Sequence, residues 1–173
     1  MTPNENQLTD FYNEVIIPVR DERLKALKIY CQENRDQLSK DLINGITEVM
    51  KKATTMQKQE TKGKAAYIIL SFLRSYIYAD LMPDFCRIDV YDENNYDDEQ
   101  ECFVYVSCPW AKEHILGFDK SIREEVKKSA LKLPEYQMEA LVFAEAFKFA
   151  EDLRYLLRYS IPEIEKLEGV FIK

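Results

Sequence analysis

Four cysteines and one histidine are the side chains of this 173-residue chain with the readiest nucleophilic or metal-binding chemistry. Cys108 stands just before Pro109, and a helix opening there would favour its thiolate. His114 is the only histidine, so a Cys–His dyad or a His-activated serine must use it. Along a helix it falls roughly 9 Å beyond the cysteine at ~1.5 Å per residue, and on another face. A buried thiol at a strand end is therefore the simpler reading. Cys86, Cys102, Cys108 and His114 are zinc-compatible types, but Cys102 and Cys108 in one strand stand roughly 20 Å apart at ~3.3 Å per residue. No C-x-x-C occurs. Gly63-Lys64 lacks the upstream glycine and the following Ser/Thr of a phosphate loop. No catalytic residue, metal or cofactor is expected.

Two other groups suit binding. Arg74 and Arg154 lie in apolar stretches, and two inward guanidinium forks suit the carboxylate or phosphate of an anionic small molecule. The competing reading is that each pairs with an acid or reaches the surface along its apolar stem. The segment Asp92 to Gln100 holds five acids and no basic residue, without the glycine and acid spacing of a calcium loop. Tyr91, Asp92, Tyr96, Asp97, Asp98 and Glu99 form a candidate surface for a protein partner, a basic one by charge. A solvated hairpin tip is the plainer alternative, since acid clusters also block edge pairing.

The elements that position these groups are mostly helices. Thr2-Pro3-Asn4-Glu5 has the form of a capping box, and Leu8, Phe11, Tyr12, Val15 and Ile16 follow a 3.6-residue period until Pro18 ends or kinks the helix. From Asp21 to Met56 apolar residues recur by threes and fours. An irregularity is expected at the polar gap 32–37 or at Asn44-Gly45. The run Ala65 to about Leu81 is apolar on almost every side and reads as a central buried helix, because Arg74 at its middle is costly in lipid. Beyond the hairpin, Trp110 to Leu116 reads as a short helix stopped by Gly117, and Asp119 as the cap of a peripheral helix to Lys132. Pro134 opens a long helix to about Tyr159. Ser160-Ile161-Pro162-Glu163 reads as a new cap, and Val170 to Ile172 as a packed tail or a third strand.

Between these helices, 85–91 and 101–107 alternate as an antiparallel hairpin. Cys86, Ile88 and Val90 share one face with Cys102, Val104 and Val106. The second face holds Phe85, Arg87, Asp89, Tyr91, Phe103 and Tyr105. Leaving three of its four rings in water forgoes roughly 5 to 9 kcal/mol at ~1.5 to 3 kcal/mol each, so a cover is expected. The open edges invite a third strand or a two-fold partner, and a homo-oligomer is as well supported as a monomer.

With 46% hydrophobic and 32% charged residues, the composition is that of an ordinary globular protein, and length favours one domain over 1–173. A net charge of -7 repels phosphate backbones and anionic lipids, so neither nucleic acid nor membrane is expected as partner. The first residues, MTPNENQLTD, do not resemble a secretory signal, and four cysteines make no disulfide framework; a cytoplasmic location is expected. The reading is a predominantly helical α+β fold, a bundle around the helix at 65–81 carrying one hairpin. Functionally it is a non-enzymatic interaction or regulatory protein using the acidic loop and the Phe103–Tyr105 face. The alternative is an anionic-ligand binding protein or enzyme built on Arg74 and Arg154.

Overall fold

The computed structural model describes residues 5–73, 78, 86–94, 100–129, 131 and 133–171. The architecture is a predominantly helical α+β fold with a three-stranded antiparallel sheet. The chain divides into two compact units, Met1–Glu33 with Trp110–Leu153 and Asn34–Pro109 with Arg154–Lys173.

The first unit is helical. α1 (Glu5–Phe11) passes through a π-helical turn (Tyr12–Ile16) into α2 (Ile17–Glu33). Pro18 neither ends the helix nor leaves it regular. It has no N–H, and its ring would press on the carbonyl four residues back; the wide turn absorbs the misfit, with the Ile17 N–H donating to the Tyr12 carbonyl five residues back. α4 (Pro109–Lys128) runs straight through Gly117 and Asp119, which correct the expected stop and restart. Gly117 is a spacer, since a β-carbon there would stand 3.1 Å from Arg23 Nη1, whose guanidinium also donates from Nη2 to Ser121 Oγ at 2.9 Å. Asp119 accepts from Arg123 Nε at 2.9 Å within the helix. α5 (Glu135–Phe171), which belongs to this unit as far as Leu153, starts where Pro134 predicts, with the Gln137 N–H on the Pro134 carbonyl at 3.0 Å.

The core of this unit contains Ile16, Leu27, Ile115, Phe118, Ile122, Val142 and Phe149, all buried. Phe118 and Phe149 meet with ring centroids 6.0 Å apart. Buried Glu145 is its polar centre: Tyr12 donates to it at 2.6 Å, Lys148 at 2.8 Å and Arg20 at 3.2 Å. Burial opposes ionisation of Glu145, but these three donors outweigh it and hold the carboxyl below its usual range.

The second unit sets α3 (Arg35–Lys58) against the sheet of β1 (Ala65–Phe72), β2 (Cys86–Asp92) and β3 (Phe103–Val106), in the order β1-β2-β3. α2 and α3 break at Asn34, inside the expected polar gap, whereas Asn44-Gly45 is continuous helix. A β-carbon on Gly45 would overlap Val106 and stand 3.2 Å from Ile88 Cδ1, so the missing side chain lets α3 lie close on the sheet. Leu42, Ile46, Val49 and Ala53 of α3 are buried with Cys86, Ile88 and Val90 of the sheet's inner face.

The central helix expected over 65–81 is corrected in its described part. Ala65–Phe72 is a strand, paired with β2 from Ala65↔Asp92 to Phe72↔Cys86. A short, evenly apolar run has no period to separate helix from strand, and the ladder hydrogen bonds come from β2, far along the chain. β1 therefore supplies the third strand, and Val170 and Phe171 instead lie in α5. That helix also continues through Ser160 and Pro162. Ser160 Oγ donates back to the Leu156 carbonyl at 2.8 Å and meets buried Ser39 Oγ at 2.6 Å, while Pro162 stands on the exposed side, where solvent replaces the lost donor. Among the described residues no helix is long and apolar enough to cross a membrane. The capping box at Thr2 lies outside them, apart from the Glu5 backbone.

Candidate functional site on the outer face of the sheet

The hairpin pairs Cys86↔Val106, Arg87↔Tyr105, Ile88↔Val104 and Asp89↔Phe103, a register that keeps the expected faces. Alternation then sends Arg87, Asp89 and Tyr91 to the outer face with Phe103 and Tyr105. β1 adds Tyr67 opposite Tyr91, Ile69 opposite Asp89 and Ser71 opposite Arg87. Three cross-strand rows result: Tyr67–Tyr91, Ile69–Asp89–Phe103 and Ser71–Arg87–Tyr105.

Arg87 organises these rows. Its Nε donates to Asp89 Oδ1 at 2.8 Å, and its guanidinium carbon lies 3.9 Å from the Phe103 ring centroid. Asp89, only 6% exposed, is thereby paired although withdrawn from water. Burial works against the charge of Arg87, but the hydrogen bond and charge of Asp89 prevail and raise its pKa. Lys52 of α3 donates to the Phe103 carbonyl at 3.2 Å and places its ammonium 4.9 Å from the same ring. Tyr105 meets Phe103 edge to face at 5.3 Å. Two cations thus hold Phe103, while Tyr105 remains 38% and Tyr67 49% exposed. Part of the cover expected for the hairpin's aromatic face is a cation over a ring.

The acidic segment divides. Asp92 is buried, accepts from the Asn94 N–H at 2.9 Å, and stands where a β-carbon on Gly63 would meet its Oδ2 at 2.7 Å. Its carboxylate closes a turn, and it would repel a phosphate brought to Gly63-Lys64. Tyr91 is half-buried. Tyr96, Asp97, Asp98 and Glu99 lie outside the described residues. So does Arg74, while Arg154 is an exposed residue of α5, so the pair expected to hold an anion is not on view. A cleft of about 440 Å³ in the second unit includes Asp36, Lys40, Tyr159 and Lys166, of both charge signs, and not Arg154.

The thiols are withdrawn from solvent. All four cysteines are buried and reduced. Cys86 and Cys108 are hydrogen-bonded, and that contact, with burial, pushes the Cys86 thiol far above its usual range. His114 belongs to an aromatic cluster, 6.2 Å from the Tyr30 ring, which in turn stacks on Trp110 at 6.3 Å. Burial, then the charge of Arg23, lowers its pKa.

Sequence reasoning placed Arg87 and Asp89 on this face without assigning them a role, and it missed Tyr67 and Lys52. The alternating signs of Arg87 and Asp89, two apart on one strand face, were the available signal. Nothing local announces that Lys52 reaches Phe103. Comparison of the chain with protein-family models, curated proteins and solved structures gives no match.

Proposed function

We propose that this chain is a non-enzymatic interaction protein whose second unit presents the outer face of its sheet to a protein partner. The observation that carries the reading is the ordered stack of Arg87 and Lys52 on Phe103, with Tyr67 and Tyr105 half in solvent beside it. Tyrosine and arginine dominate the energetics of protein interfaces, and side chains already held in place lose little entropy on binding. Arg87 and Lys52 set against Asp89 and Glu101 leave the middle of this face near neutral, so contact area drives association there. Acids of the adjoining loop add attraction for a basic partner.

The test is affinity purification of the tagged chain from its native host, followed by titration of the recovered partner with purified variants. Tyr67→Ala with Tyr105→Ala alters two exposed side chains and is expected to weaken binding about tenfold or more. Reversing charge at Asp97, Asp98 and Glu99 is expected to slow association and change its salt dependence. A partner bound equally well by the double tyrosine variant would sink the proposal.

A further inference from the structure

Among the described residues β1 forms one edge of the sheet, and its composition is unusual for an edge. Its sequence, AAYIILSF, has no charge, proline or glycine over eight residues, whereas β3 at the opposite edge has only four residues. Edge strands of monomers are ordinarily blunted by charge, proline or brevity. Tyr67 and Ile68 are consecutive and so point to opposite faces, yet they stand 49% and 43% in solvent. On the inner face α3 buries Ile88 and Val90 almost completely, but that cover stops short of Ile68.

We infer that β1 pairs with β1 of a second copy of this chain, antiparallel about a two-fold axis, joining two three-stranded sheets into one of six strands. An occupant of this edge must supply ladder hydrogen bonds and apolar side chains on both faces, and an uncharged strand meets its own copy without repulsion. A two-fold axis perpendicular to the sheet keeps inner face beside inner face. Facing residues of a ladder share a face, and so do a residue and its own copy. The axis must therefore pass through a residue and not between two. The register shift between Ala65 and Tyr67 leaves Tyr67 to Phe72 as the regular part, centred between Ile69 and Leu70, and the greater exposure at Tyr67 and Ile68 places the axis on Ile69. Ile68 then faces the second copy's Leu70 and lies diagonal to the second copy's Ile68, within reach of a long side chain.

The inference shares Tyr67 with the outer-face reading but rests on the strand edge and on Ile68 of the inner face, and purified full-length chain alone tests it. Light scattering after size exclusion, over a wide concentration range, is expected to show a dimer. Ile68→Lys, at a half-exposed position, is expected to keep the circular dichroism of the wild type and to weaken dimerisation at least about tenfold. Ile68→Glu alone is expected to do the same, and an equimolar mixture of the two is expected to restore the dimer. A wild type that stays monomeric, or a dimer that Ile68→Lys leaves intact, overturns the proposal. So does a mixture that stays monomeric, because opposite charges diagonal across the axis must attract.

Discussion

Glu60, just beyond α3, is held at a φ of 57°, in left-handed backbone that suits glycine. Its N–H donates to the Gln57 carbonyl at 3.0 Å and the Thr61 N–H to the Met56 carbonyl at 3.0 Å, the two bonds of a Schellman cap. The cap needs the conformation, and the side chain makes it costly. Glu60→Gly is expected to stabilise the protein by about 1 kcal/mol, which raises Tm by ~2–4 °C. A thermal melt with Tm unchanged or lowered would contradict the left-handed assignment. The effect is confined to one backbone position, so activity at any distant surface should not change with it.

Gly45 belongs to a contact between elements. Replacing glycine by alanine inside an exposed helix stabilises it by roughly 1 kcal/mol, and Asn44→Ala on the solvent side of the same turn should be neutral or slightly favourable. At Gly45 the added methyl would overlap Val106 across the helix–sheet contact. Forcing α3 off the sheet costs about 1–3 kcal/mol in overpacking, more than the gain in helix propensity. Gly45→Ala is therefore expected to lower the urea midpoint while Asn44→Ala does not. Gly45→Ala should also disturb the outer face, because Lys52 reaches Phe103 from the same helix.

Among the described residues, the two partly buried groups of the first unit whose pKa is shifted, His114 and Glu145, should make the stability of the molecule follow pH. The folded state lowers the His114 pKa from an ordinary 6.5, so the unfolded chain binds a proton first. Stability is full above pH 6.5 and falls as the pH drops from there toward the lower folded value. Glu145 is depressed from 4.5, so its contribution is present above that value and is lost as the pH falls through the folded one. Urea midpoints measured from pH 8 to 3 should decline in two stages. In His114→Gln the first stage should vanish and the acid stage persist; a first stage surviving in that variant would assign it to another group.

Read without its structure, the chain already specifies a good part of this architecture. Alternation in 86–91 and 102–106 placed the described residues of the hairpin on their proper faces, because a period of two keeps Cys86, Ile88 and Val90 together in any register that does not slip by an odd number of residues. The helical class, the break near Asn34 and the start at Pro134 were legible for the same reason: caps and periodicity act between near neighbours. What local pattern could not decide was settled by contacts between distant residues. Ala65–Phe72 has no period of its own and became a strand because β2 lies beside it. Gly117 read as a stop and Ser160-Ile161-Pro162-Glu163 as a new cap, yet α4 and α5 pass through both. The outer face needed the tertiary structure most, since Lys52 and Arg87 reach Phe103 from different elements, and only the fold's geometry brings two cations onto one ring. Periodicity records which side of an element is buried; which partner buries it depends on surfaces that meet only after the chain has folded.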